Sequence, residues 1–237
     1  MSTLATNLTL LGELDEAERV GKEAFRRADF VTAERIFRDG LNQRLKRTPP
    51  NLLLVANSRG KVAGALAARA MWAEAAPLYE AAIAYYRGNL SANSARIAPS
   101  LTALGDCRAL EGKHSLAVQA AREAVEAAKK ILGGVGRASL AGALCSLGRT
   151  KLTMGAHREA AELLQQSREM RESNSPNRDM YFGLNVSALG RALAAEGKHV
   201  EVRKFLEEGA SILRTNKRAF ARVEMERNRK ALAGIRP

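Results

Sequence analysis

The chain has 237 residues, of which 46% are apolar and 27% charged but only 5% aromatic; so few large rings exclude a thick aromatic core and favour helices packed closely through small side chains. A formal charge of +13 points to an acidic partner, whether peptide, nucleic acid or anionic surface. Two cysteines, Cys107 and Cys145, stand without Cys-x-x-Cys spacing or a neighbouring histidine cluster, which argues against a disulfide framework or a metal centre and for a reduced, cytoplasmic chain.

Taken in order, the opening stretch MSTLATNLTLLGELDEAE lacks the basic start and long apolar run of a secretory leader. Residues 1–13 read as a lead-in, either a short helix around Leu8 to Leu11 or a frayed end. No stretch approaches the roughly 20 apolar residues of a membrane span, so no membrane contact is expected. From 14 to 213 the chain repeats itself, with units starting near residues 14, 56, 98, 141 and 183.

The units align on Gly21, Ala63, Gly105, Gly148 and Gly190, at spacings of 42, 42, 43 and 42 residues. Val20, Val62, Leu104, Leu147 and Leu189 precede them. Twelve residues later come Ala33, Ala75, Ala117, Ala160 and Val202; four further on, Phe37, Tyr79, Ala121, Leu164 and Leu206; three beyond those, Gly40, Ala82, Ala124, Ser167 and Gly209. Small, large and small at i, i+4 and i+7 form one helix face. Each unit is therefore predicted to be a hairpin whose two helices approach closely over that face.

Gly112, Gly155 and Gly197 mark the turn inside three of the hairpins, where a left-handed residue ends a helix. Two residues on, the units carry Phe30, Trp72, His114, His157 and His199. All three histidines thus occupy one repeat position. Stacked repeats hold equivalent positions roughly 10 Å apart, too far to share a metal, so these rings read as packing groups. Linkers richest in turn residues lie at 48–51, 88–94, 132–136 and 172–179.

Leu147-Gly148 with Gly155, Ala160 and Leu164, and Leu104-Gly105 with Gly112 and Ala117, resemble the tetratricopeptide repeat. The period exceeds the usual one of about 34 residues by about eight, which makes the chain similar to the longer repeats of kinesin light chains and bacterial signalling proteins. Ala73-Glu74-Ala75-Ala76-Pro77-Leu78-Tyr79-Glu80 is especially close to that variety. The resemblance covers residues 14–216 and departs from the pattern at Ala63 and Val202. It implies an all-α, right-handed solenoid of five hairpins, with residues 214–237 as a basic capping helix that uses Phe220, Val223 and Leu232 as apolar contacts.

By the same resemblance, the first helix of each hairpin lines a concave peptide groove. The positions beside the anchors are Lys22, Gly64, Asp106, Arg149 and Arg191 immediately after, and small residues such as Cys145 and Ser187 before. Arg149 and Arg191 hold one position in adjacent units, and the guanidinium fork suits carboxylate or phosphate. Lys61 extends the positive strip, and Asn57 is placed to hydrogen-bond an extended peptide backbone. Arg149, one turn after Cys145, would lower the pKa of that thiol.

No catalytic set emerges. Gly134-Val135-Gly136-Arg137-Ala138-Ser139 lacks both a preceding strand and a Gly-Lys-Ser/Thr ending, so it reads as a turn and not a phosphate loop. The expected function is a non-enzymatic adaptor without cofactor or metal, holding an acidic peptide or partner helix in its groove. Two other readings stand beside it. Arg222, Arg229 and Arg236 recur every seven residues along one side of the last helix, a row able to follow the phosphates of a nucleic acid, and exposed repeat ends would permit self-association.

Overall fold

The structure, a computed structural model, describes residues 3–174, 179–197 and 202–234. Among them are eleven helices and no strand: α1 (Thr3–Arg26), α2 (Phe30–Leu45), α3 (Leu52–Ala68), α4 (Trp72–Asn89), α5 (Ile97–Leu110), α6 (His114–Lys129), α7 (Gly133–Thr153), α8 (His157–Asn174), α9 (Met180–Ala195), α10 (Val202–Leu213) and α11 (Ala219–Gly234). α1 to α10 pair in sequence as hairpins, and each hairpin packs on the next. The lead-in is no separate short helix, since α1 runs unbroken from Thr3.

The anchors do what their size predicts. A Cβ on Gly148 would lie 2.8 Å from Leu164 Cγ and 3.3 Å from the carbonyl oxygen of Ala160, and one on Gly105 would lie 3.3 Å from the carbonyl oxygen of Ala117. Both contacts fall on the second helix of the same hairpin. Ala33, Ala75, Ala117 and Ala160 are fully buried on the opposing face. The core is thin and continuous, built of many small contacts.

Helix ends follow local chemistry. The side chains of Asp29, Asn51 and Asp179 accept hydrogen bonds from the backbone N–H of Thr32, Leu54 and Phe182, satisfying donors that the first turn leaves free. Inside the hairpins the turn residue is left-handed in all five units, with φ of 79°, 80° and 75° at Gly112, Gly155 and Gly197 and of 61° and 70° at Ala28 and Ala70. An L-residue there costs about 1–2 kcal/mol, partly offset because alanine loses less backbone freedom on folding. Ala28→Gly and Ala70→Gly should each stabilise the protein by about 0.5 kcal/mol in urea unfolding.

The linker predicted at 132–136 is mostly helix. α7 begins at Gly133, and a Cβ on Gly136 would lie 1.9 Å from the carbonyl oxygen of Ile131. Glycine lets the first turn of α7 fold back onto the preceding chain.

α11 departs most from its expected role. It packs on α9 and α10 at the end of the array, and it also reaches α3. Phe220 meets Trp72 with ring centroids 4.7 Å apart, and the Arg218 guanidinium sits 5.1 Å from the centre of the Phe25 ring. The C-terminal segment therefore crosses the concave side from the fifth hairpin to the first two. Its buried face is Ala219, Ala221, Glu224 and Asn228, whereas Val223 and Leu232 are only half-buried. Phe220 makes its expected apolar contact, and the rest of the seam is mixed, two alanines beside two polar side chains.

Candidate functional site: the concave cavity

The crossing segment borders a partly open cavity of about 500 Å³ against α3, α5, α7 and α9. One wall is apolar, with Phe25, Tyr79, Pro99, Leu184 and Phe220; the polar side carries Asp106, Ser146, Arg149, Arg171, Tyr181 and Arg218. A volume of this size is typical of sites for small ligands or short peptide segments.

Of the residues expected in the groove, the fold brings Gly64, Asp106, Cys145 and Arg149 onto this cavity. Asp106 Oδ1 accepts a hydrogen bond from Ser146 Oγ at 2.7 Å and one from Arg149 Nη1 at 3.3 Å. Arg149 is 8% exposed, and its Nε is buried without an acceptor. Burial pulls the Arg149 pKa down, but Asp106 and Glu224 outweigh it and hold the guanidinium charged. For Cys145 the expected direction is reversed: burial raises the thiol pKa and overrides the neighbouring Arg149. A buried thiol of that kind is a poor nucleophile.

The other expected groove residues are engaged elsewhere. Arg191 donates to Glu224 of α11, a carboxylate with no exposed surface that also lies 3.5 Å from Arg227. Burial pushes the Glu224 carboxyl up, but Arg191, Arg149 and Arg227 together hold it below its ordinary range. Ser187 is covered by α11 and accepts a hydrogen bond from Asn228 Nδ2 at 2.7 Å. Asn57 Oδ1 accepts from Tyr86 Oη at 2.9 Å and Arg96 Nε at 3.2 Å, two turns before Gly64 on α3 and outside the cavity lining. Lys22 and Lys61 close on Glu18 at 2.7 and 2.6 Å, with Arg44 at 3.1 Å.

Arg222 is exposed, Arg229 is exposed and paired with Glu226, and Arg236 lies outside the described residues. His199 does too, while His114 and His157 open α6 and α8 as half-buried rings. Among the described residues no three His, Cys, Asp or Glu side chains gather as a metal site, and no helix is long and apolar enough to cross a membrane.

Glu18 makes the first hairpin sensitive to pH. Burial pushes its carboxyl up, but hydrogen bonds from Lys22 and Lys61 win and bring it to about 2. A depressed carboxylate stabilises the fold above its unfolded pKa and loses that contribution as pH falls. Stability should therefore drop by about 1–2 kcal/mol between pH 5 and 2 through this group, discounted for its partial exposure. Urea titrations of Glu18→Gln over that window should show a correspondingly flatter profile.

Arg171, Tyr181, Arg218 and Phe220 are the cavity residues that the repeat pattern does not reveal. Arg171 lies on the second helix of its hairpin, and the other three lie at a helix start or in the crossing segment. A search confined to positions beside the anchors passes over them.

Compared by sequence, the chain matches no family profile and no curated protein. Its structure is similar to solved helical-repeat proteins. A putative kinesin light chain from Podosopora anserina with nearly identical TPR-like repeats superimposes with a TM-score of 0.63 at 20% identity, covering 84% of this chain and 94% of that one. BtubC from P. vanneervenii gives 0.66 at 16% identity, over 100% and 95% of the two chains. The chain has the fold of a tetratricopeptide-repeat solenoid. The Rap conjugation gene regulator of plasmid pLS20, solved in complex with the Phr* peptide, shares this TPR architecture with a TM-score of 0.71 at 16% identity, over 90% of this chain and 56% of that one. In the present solenoid α11 packs on α9, α10 and α3, and the cavity lies beside it.

Proposed function

We propose that the protein is a non-enzymatic interaction module that receives a short acidic segment of a protein partner in the concave cavity. The observation that carries this reading is the cavity itself: it is lined by residues of eight helices and bears three arginines against the two aspartates Asp106 and Asp179. The peptide held by a Rap protein of the same fold supports it as an analogy of architecture. Partner recognition then combines an apolar wall that excludes water with guanidinium groups that select negative charge.

Gly142 offers a clean test. It lines the cavity from α7, and a Cβ there would stand 3.8 Å from its nearest neighbour, Arg171 Nη2, an ordinary contact. Gly142→Leu should fill the cavity while favouring the helix by about 0.5–1 kcal/mol. Peptides selected from a random display library on the wild-type protein should be rich in Asp and Glu, and should bind Gly142→Leu at least about tenfold more weakly, a loss of about 1.4 kcal/mol. Peptides without acidic enrichment, or equal binding to the filled variant, would remove the cavity from the function.

A further inference from the structure

The arginines at the solenoid interior fall into two groups. Arg149 and Arg191 are neutralised by Asp106 and Glu224. Arg171 has only a long ion pair, to Asp179, and Arg218 faces a thioether and a ring. Among the described residues the nearest carboxylate oxygen to Arg171 is Asp179 Oδ1, an ion pair at 4.0 Å and beyond hydrogen-bond reach, and that oxygen already accepts from the Phe182 N–H at 3.0 Å as the cap of α9. Arg171 Nε is buried with no acceptor at all. Its guanidinium carbon stands 5.6 Å from the centre of the Tyr181 ring.

Arg218 has equally soft company. Its Nη1 points to Met180 Sδ at 3.5 Å, and its guanidinium faces the Phe25 ring. A thioether is a weak acceptor and a phenyl face attracts a cation by only about 0.5–2 kcal/mol. Neither contact neutralises the charge. Both guanidiniums line the one cavity and bear on the Met180-Tyr181 step at the start of α9.

Withdrawing a guanidinium from water without an anion is unfavourable, and leaving a buried N–H unpaired costs about 1–3 kcal/mol. In a chain where so many other arginines found a close carboxylate, one cation held only by a 4.0 Å ion pair and one facing a thioether and a ring, both lining the same cavity, leave a place for an anion supplied from outside. The chemistry of the walls limits what carries it. Phe25, Phe220, Pro99 and Leu184 surround the charges with hydrocarbon, which suits a carboxylate joined to an apolar group.

We propose that Arg171 and Arg218, flanking Tyr181, form the carboxylate subsite of the cavity and take a peptide carboxylate beside an apolar side chain. The assignment rests on the peptide reading of the cavity and adds the group that is recognised. A guanidinium fork binds a carboxylate through two parallel hydrogen bonds, and the free Arg171 Nε–H is a donor for one of them. The carboxylate is either the C-terminus of the segment or an Asp or Glu side chain within it.

Three probes separate these sources: N-acetyl-Leu-Phe with a free C-terminal carboxylate, its C-terminal amide, and N-acetyl-Glu-Phe amide. Each is titrated into the full-length protein by calorimetry while the Arg171 Nε–H resonance is followed by NMR. At least one carboxylate probe should bind about tenfold more tightly than the uncharged amide and shift that resonance, and the gain should vanish in Arg171→Gln and Arg218→Gln. Preference for the free acid would identify a C-terminus, and preference for the glutamyl amide an internal acidic residue. Arg171→Lys, which keeps the charge and loses the fork, should retain an intermediate affinity. Equal binding of charged and uncharged probes, binding by none of them, or unchanged affinity in both glutamine variants would overturn the subsite. Peptides that still distinguish wild type from Gly142→Leu would then show the cavity reading standing without it.

Discussion

Gly209→Ala is expected to cost about 3 kcal/mol, the upper range for overpacking a close contact. Gly209 lies on α10 where it crosses α9, and a Cβ there would fall 2.0 Å from Ser187 Oγ and 3.0 Å from both the Gly183 carbonyl oxygen and the Ser187 nitrogen. The hydroxyl cannot simply rotate away, because it holds Asn228 of α11. Backbone must move instead, so the hairpin opens and the crossing helix loosens with it. Gly60→Ala is the matched control: nothing stands within 4 Å of its Cβ, and relief of helix-interior glycine should stabilise α3 by about 0.5–1 kcal/mol. Urea unfolding of the two variants should move in opposite directions. Equal midpoints would mean that the α9–α10 contact is looser than its geometry implies.

Glu224→Gln carries the second large effect, about 3–5 kcal/mol. That is the usual loss when one partner of a buried ion pair is removed and the other charge stays behind. Here Arg191 is left without its carboxylate, and Arg227 and Arg149 lose a field that held them. Arg191→Met combined with Glu224→Met removes both charges and should recover most of the loss, so a double-mutant cycle separates unpaired charge from lost packing. The pH dependence has a definite sign. Because the folded carboxyl is held below its ordinary value, its contribution is complete above the unfolded pKa of about 4.3 and disappears as pH falls through the lower, folded one. Acid should therefore release α11 before it unfolds the hairpins, visible as early loss of the Trp72–Phe220 contact.

The repeat architecture was legible because it depends on spacing. The anchor glycines and the small-large-small face recur with one period, and the tightest contacts of the glycines lie within a single hairpin. The turn position was legible in the three glycine units and hidden at Ala28 and Ala70, whose left-handed backbone no residue type announces. The role of the last helix was obscured by its buried Glu224 and Asn228, since a polar face in sequence reads as solvent-facing. Its partners are arginine and serine of α9, more than thirty residues away.

The same long-range pairing explains the candidate site. Arg149 and Arg191 share a repeat position, yet that position is where neighbouring elements supply carboxylates, Asp106 from α5 and Glu224 from α11. Reversing their charge would disrupt the fold and say little about ligand binding. The other two cavity arginines, Arg171 and Arg218, obey no period. One lies on a second helix and the other in the crossing segment, and only the closed geometry places them in a common cavity.

That closure is the central claim, and the lone tryptophan reports on it directly. With 5-fluorotryptophan at Trp72, the protein gives a single fluorine resonance whose shift carries the ring current of Phe220, its neighbour at 4.7 Å. Phe220→Leu keeps an apolar side chain of similar reach and removes the ring. A clear change in that shift, with helicity and unfolding midpoint nearly preserved, is the result the closed solenoid predicts. A resonance indifferent to Phe220→Leu would mean that α11 stays at the end of the array and does not border the cavity.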